Sequence, residues 1–112
     1  MPVRKMKLAG RGGRVAIVDG LRTPFARIAT HYRDLNAIDL GAMAVKELMA
    51  RNNLSQHEIE QLVFGMTVMI PEAPFIAREI ALALGMDTIH AYSITRAFAT
   101  SFTTTASVAD NI

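Results

Sequence analysis

The stretch Tyr92-Ser93-Ile94-Thr95-Arg96-Ala97-Phe98-Ala99-Thr100-Ser101-Phe102 is where this chain comes closest to a catalytic arrangement. It reads as a short strand running directly into a helix of small residues. Such a turn aims backbone N–H groups at the side chain that opens the helix, and the helix dipole favours negative charge there. A cysteine in that place has a lowered pKa and is a ready nucleophile. The chain has no cysteine, which excludes disulfides, cysteine–zinc sites and thiol catalysis by its own residues.

Other side chains with chemical potential do not assemble into a pattern. His31, His57 and His90 lack metal-ligand spacing and have no Asp or Glu placed to complete a set, so no metal is expected; they read as solvated or hydrogen-bonded histidines. The Gly10-Arg11-Gly12-Gly13 run precedes a strand, whereas a phosphate-cradling loop must follow one. It reads as a linker. Ser93, Thr95, Thr100, Ser101 and Thr103-Thr104-Thr105 crowd the last twenty residues without a His or Lys among them to act as base. Hydroxyls in a helix of small residues are expected to bond the local backbone.

The elements that would hold these residues form an alternating order. Val15-Ala16-Ile17-Val18-Asp19-Gly20 is an apolar run closed by a turn signal, a buried strand by pattern. Pro24 interrupts the loop that follows. Asp39 is a suitable N-cap for a helix to about Asn52, with Leu40, Met43, Ala44, Val45 and Leu48 as its apolar stripe and Glu47–Arg51 paired outside. Ser55 and Glu58 form a capping box for a short helix, Gln56–Gln61. Leu62–Met69 is a nearly continuous apolar strand, hence covered on both faces, and Gly65 inside it signals close backbone approach or a bulge. A second helix is expected from Pro74 to Leu84, with Ile76, Ile80, Ala83 and Leu84 buried and Gly85 as terminator. Ala91–Thr95 is the third strand, and the third helix starts near Ala97 or Phe98. The β-α-β-α-β-α order implies an α/β fold with a mostly parallel sheet and right-handed crossovers.

Length and composition fit one small domain. The 112 residues are 51% hydrophobic but only 6% aromatic, with no tryptophan, so Ala, Ile, Leu, Val and Met must build the core. Seven methionines fit gap-filling in that core; a flexible Met-lined surface is the second reading. Arg4, Lys5, Lys7, Arg11 and Arg14 stand at the start without an acid, while the rest carries seven basic and ten acidic side chains. Residues 1–13 therefore read as a basic disordered leader ahead of a domain over 14–112, weak attraction to an anionic partner or membrane surface being the second reading. This is not the footprint of a nucleic-acid-binding face. No apolar run approaches the ~20 residues of a membrane span, and charge and glycine break any signal-peptide core. The cytoplasm is the expected location.

Taken in order, several stretches resemble the N-terminal part of the 3-ketoacyl-CoA thiolases. They are Val15-Ala16-Ile17-Val18-Asp19-Gly20-Leu21-Arg22-Thr23-Pro24-Phe25, Asp39-Leu40-Gly41-Ala42, Phe64-Gly65 before Thr67-Val68, Ile76-Ala77-Arg78-Glu79, and Thr95-Arg96-Ala97-Phe98-Ala99-Thr100-Ser101. The resemblance covers about 14–112 and points to the fatty-acid β-oxidation branch. It implies thiolytic cleavage of 3-ketoacyl-CoA by coenzyme A as co-substrate, through an acyl-cysteine, with a histidine and a second cysteine from later segments. It implies acyl-CoA substrates and no further cofactor. Possible partners are a second copy of the chain, a full-length thiolase, and a hydratase–dehydrogenase subunit. Phe98 occupies the family's nucleophile position, and its ring has no lone pair with which to attack a thioester. Among this chain's residues, no catalytic side chain is then expected. The family's last two strands of this half and its later catalytic segments fall beyond Ile112. The expectation is an acyltransferase segment inactive as it stands, marginally stable, with a first strand left as a sheet edge. The alternative is a non-catalytic module that docks on a full thiolase or its β-oxidation partner.

Overall fold

The computed structural model of the protein describes residues 14–112. The basic leader and the Gly10–Gly13 linker expected from the sequence lie outside the described residues. Three helices and a two-stranded parallel sheet follow one another: α1 (Ala37–Arg51), a 3-10 turn (Gln56–Glu58), β1 (Gln61–Gly65), α2 (Ile76–Ala83), β2 (His90–Ile94), a second 3-10 turn (Ala97–Ala99) and α3 (Thr100–Asn111). The strands pair in parallel from Gln61↔His90 to Gly65↔Ile94, with α2 as the crossover. This is the α/β architecture that the alternation of patterns predicts.

Successive residues of a strand point to opposite faces, and β1 uses this to hold two layers. Phe64 faces α1 and α2, where a Cβ on Gly41 would overlap Ile80 and stand 3.0 Å from the Phe64 ring. Its neighbour Gly65 faces α3. The half-buried pattern along all of β1 fits cover on both sides. Met66, Ala73, Ile76 and Ile80 form the buried centre, ringed by Ala37, Ile38, Ala42, Val45, Leu62, Phe64, Ile70 and Leu84.

Caps explain where the helices begin and end. α1 starts at Asn36, not Asp39: Asn36 Oδ1 accepts from Asp39 N, and Asp39 Oδ2 accepts from Asn36 N, both at 2.9 Å. Asp39 is the third helical residue of a reciprocal box, a better use of a carboxylate than a lone cap because two orphan amides are satisfied. Met43, expected in the buried stripe, is half exposed, since Gly41 takes the contact with α2. The Glu47–Arg51 pair forms at 2.9 Å. The Ser55–Glu58 box forms too, but its helix is one 3-10 turn because β1 begins at Gln61.

α2 starts at Ile76, two residues later than expected. Phe75 supplies no side-chain cap, and Ser93 Oγ from β2 accepts from Ala77 N instead, at 2.9 Å. Gly85 at φ +73° ends it as expected. Its buried stripe is Ile76, Ala77, Ile80 and Ala81; Ala83 is exposed, because the short helix leans its alanines on the sheet. β1 is shorter than the apolar run: beyond Gly65, Thr95 Oγ1 donates to Met66 O at 2.7 Å in place of a ladder bond, and Val68 and Met69 turn outward.

The strand expected at Val15–Gly20 is not formed, so the sheet has two strands among the described residues. Ile17 and Val18 are each 83% exposed. Ladder bonds largely exchange for bonds to water, so a four-residue run gains little unless its side chains are covered, and nothing overlies these two. The segment is tied instead by Asp19, whose Oδ2 accepts from Asn52 Nδ2 at 2.8 Å.

Candidate functional site

The turn between β2 and α3 is built by hydroxyl groups. Thr100 is 7% exposed, the one buried polar residue of the described chain. Its Oγ1 donates to Ala97 O at 2.6 Å and accepts from Arg96 N at 2.9 Å. Ala99 N donates to Arg96 O at 3.0 Å. These bonds close a tight loop in which Ala97 sits at φ +49°, a left-handed conformation that costs a non-glycine residue about 1 kcal/mol or more. A residue held there is over-determined by its surroundings.

Gly65 makes the approach of α3 possible. A Cβ at that position would overlap Thr100 Cγ2 and stand 2.6 Å from Ile94 O. The sequence signal of close backbone approach is thereby accounted for, and no bulge is needed, since the register runs unbroken to Gly65↔Ile94. The remaining threonines behave as local backbone-bonders: Thr103 Oγ1 donates to Ala99 O, and Thr104 and Thr105 donate to Ser101 O.

Phe98, on the crest of this turn, is 92% exposed, and Phe102, one helical turn on, is 79% exposed. The ring does not fill a pocket among the described residues. It stands two residues before a 12-residue helix, whose N-terminal end favours an anion, and it can neither ionise nor attack. Beside the turn, at the carboxyl ends of both strands, lies a cavity of about 140 Å³ lined by Met66, Met69, Pro74, Phe75, Ile76, Ser93, Ile94 and Thr95. The crevice outside the strands' carboxyl ends is where open α/β sheets bind ligands.

The histidines are not brought to this site: His31, His57 and His90 are all exposed, His57 on the first 3-10 turn and His90 at the opposite end of β2. Among the described residues no three His, Cys, Asp or Glu side chains come together as metal ligands. Asp19 is the one carboxyl with a resolved pKa displacement. The Asn52 amide first, and the Gly20 N–H second, hold it below the ordinary carboxylate range, with Arg51 adding to the effect. It belongs to the tether at the end of α1, not to the turn.

Two positions matter more than the sequence alone suggests. Thr100 is one hydroxyl in a crowd, and only its place three residues after Ala97 marks it as the pin of the turn. Ser93 caps a helix that is distant in sequence, for which no local signal exists.

Residues 15–112 match the family described as thiolase, N-terminal domain. A 3-ketoacyl-CoA thiolase of Shewanella halifaxensis is 53% identical over 113 residues, covering all of this chain and 26% of that protein. One of Cronobacter sakazakii is 57% identical over 104 residues, covering 91% of this chain and 24% of its own length. One of Enterobacter sp. (strain 638) is 55% identical over a stretch of the same length. The chain spans about a quarter of the length of these relatives.

Proposed function

The chain belongs to the thiolase family, and from that membership we propose that it is the N-terminal segment of an acyltransferase acting on 3-ketoacyl-CoA and coenzyme A in fatty-acid β-oxidation, catalytically silent as it stands. The observation that carries the second half is Phe98. It sits in the turn between β2 and α3 with its ring exposed, and no cysteine exists elsewhere in the chain to replace it. Acyl transfer through a thiolate needs a sulfur lone pair to attack the thioester carbonyl and a sulfur to carry the acyl group until coenzyme A removes it. A benzyl side chain supplies neither.

Incubation with a 3-ketoacyl-CoA and coenzyme A, followed by chromatography for acyl-CoA and intact-mass analysis for an acyl adduct, tests this directly. The expected result is no release and no adduct. Turnover above the uncatalysed rate overturns the reading. In the same scaffold, Phe98→Cys should give a thiol that alkylates with a midpoint below the ordinary ~8.5 of free cysteine, because the turn amides favour the thiolate. A midpoint at or above that value means the turn does not have the electrostatics argued for it.

A second reading is favoured by the same exposure. Phe98 and Phe102, four residues apart on the turn and on α3, have 92% and 79% of their surface open. Such a pair suits a docking surface, with a full-length thiolase or a hydratase–dehydrogenase subunit as the partner. Sedimentation of the chain mixed with each candidate, and with Phe98→Ala/Phe102→Ala as control, separates this reading from the first. A complex that the double variant weakens supports it; co-sedimentation unaffected by the variant removes it.

A further inference from the structure

We propose that the groove between the C-terminal turns of α1 and α2 binds a single-chain alkyl carboxylate. It encloses about 460 Å³ and is lined by Lys46, Met49 and Ala50 of α1, Leu54 and Gln56 of the following turn, and Ala83, Leu84 and Met86 at the end of α2. This volume falls in the range of small-molecule sites, roughly 300–1,000 Å³. No residue is shared with the cavity beside the β2–α3 turn, so the inference goes beyond the proposed function.

The lining decides what can occupy it. Six of the eight residues are apolar. Met86 is 2% exposed at the base, and Leu54 is 41% exposed at the mouth. Two thioethers, Met49 and Met86, can shift to follow a flexible chain. Part of the backbone around the groove is already bonded. Met49 O accepts from Leu54 N at 3.0 Å, Ala50 O from Asn53 N at 3.3 Å, Ala81 O from Met86 N at 2.8 Å and Leu82 O from Gly85 N at 3.1 Å. Glu47, next to Lys46 in sequence, is held by Arg51 at 2.9 Å. Lys46 is in no ion pair among the described residues.

The groove therefore offers an apolar wall, one uncommitted cation and the amide of Gln56. Charge complementarity selects a ligand that is apolar along its length and anionic at one end. The ammonium of Lys46 repels a cationic amphiphile. A fatty carboxylate meets both demands: its chain covers Met49, Leu54, Leu84 and Met86, and its head accepts from Lys46 Nζ and Gln56 Nε2. The groove is open on one side, so a dissociation constant on the order of 1 mM suits it.

The test is a titration of the full chain, carbon-13 labelled at the methionine methyls, with decanoate below its micelle concentration. Saturable shifts of Met49 and Met86 with Met66 and Met69 unmoved are the expected result. Lys46→Gln, which removes the charge and keeps the first two methylenes of the stem, should weaken decanoate by about fivefold, the worth of an exposed charge pair near the upper end of its range. Decyltrimethylammonium should not reproduce the shifts. Equal shifts at all methionines, equal affinity in Lys46→Gln, or equal binding of the cationic amphiphile each overturn the proposal. So do Met49 and Met86 shifts that depend on protein concentration without ligand, which assign the groove to a second copy of the chain.

Discussion

Replacing Thr100 by valine should loosen the turn that carries Phe98 while leaving the packing against Gly65 in place. Valine keeps the Cγ2 methyl that lies against Gly65 and replaces the hydroxyl by a methyl of similar size. That hydroxyl makes two bonds, one to Ala97 O at 2.6 Å and one from Arg96 N at 2.9 Å, in a residue 7% exposed. Each such bond contributes about 0.5–1.5 kcal/mol net, so the pair is worth about 1–3 kcal/mol. With a urea slope of about 1–3 kcal/mol/M for a small protein, the unfolding midpoint should fall by roughly 1 M. Urea melts followed by circular dichroism, with amide exchange at Arg96, are the assay. Two controls isolate the cause. Thr100→Ser retains the hydroxyl and should sit close to the parent, apart from the lost methyl. Ala97→Gly relieves the left-handed conformation at φ +49° and should recover part of the loss in the valine background, a non-additivity expected for groups in one network. A midpoint unchanged in Thr100→Val, or a serine variant as unstable as the valine one, refutes the claim that hydrogen bonds hold this turn.

Gly65→Ala should cost about 1–3 kcal/mol by overpacking, because its Cβ meets the backbone oxygen of Ile94, which cannot rotate away; Gly20→Ala, with nothing within 4 Å, should be near neutral in the same melt. Ser93→Ala removes the cap on Ala77 N and should destabilise α2 by about 1 kcal/mol, the usual worth of a cap, seen as faster exchange of the Ala77 amide. Asp19 has a depressed pKa in the folded chain, so its contribution is present above the unfolded value, about 3.9, and is lost as pH falls through the folded value. The tether of Asp19 to α1 should therefore release in that acid window, read as the Asn52 side-chain amide shift in an acid titration, and Asp19→Asn should abolish the transition.

The architecture was legible in the sequence wherever local chemistry and burial agreed. Gly85 ends α2 at a left-handed φ because only glycine adopts it without cost; the Ser55–Glu58 box forms where the motif stands; Gly65 lies at the closest approach of sheet and helix. Two of the misses, the first strand and the start of α2, have deciding partners that are remote. Val15-Ala16-Ile17-Val18 has the composition of a buried strand, yet composition cannot supply the layer that would cover Ile17 and Val18, and both are exposed. Asp39 looks like a cap until Asn36 is seen to reciprocate. α2 begins two residues late because its cap, Ser93, arrives from β2. The site follows the same rule with a different outcome. The residues around Phe98 located the turn from strand to helix from types alone. The device that holds the turn, one buried hydroxyl bridging Arg96 and Ala97 beneath a glycine of the neighbouring strand, becomes visible only when α3 is laid on β1. The turn is strained, doubly bonded and presents a phenyl ring at its crest, which is why placing a thiol at that one position and titrating it is the sharpest probe of what the turn can do.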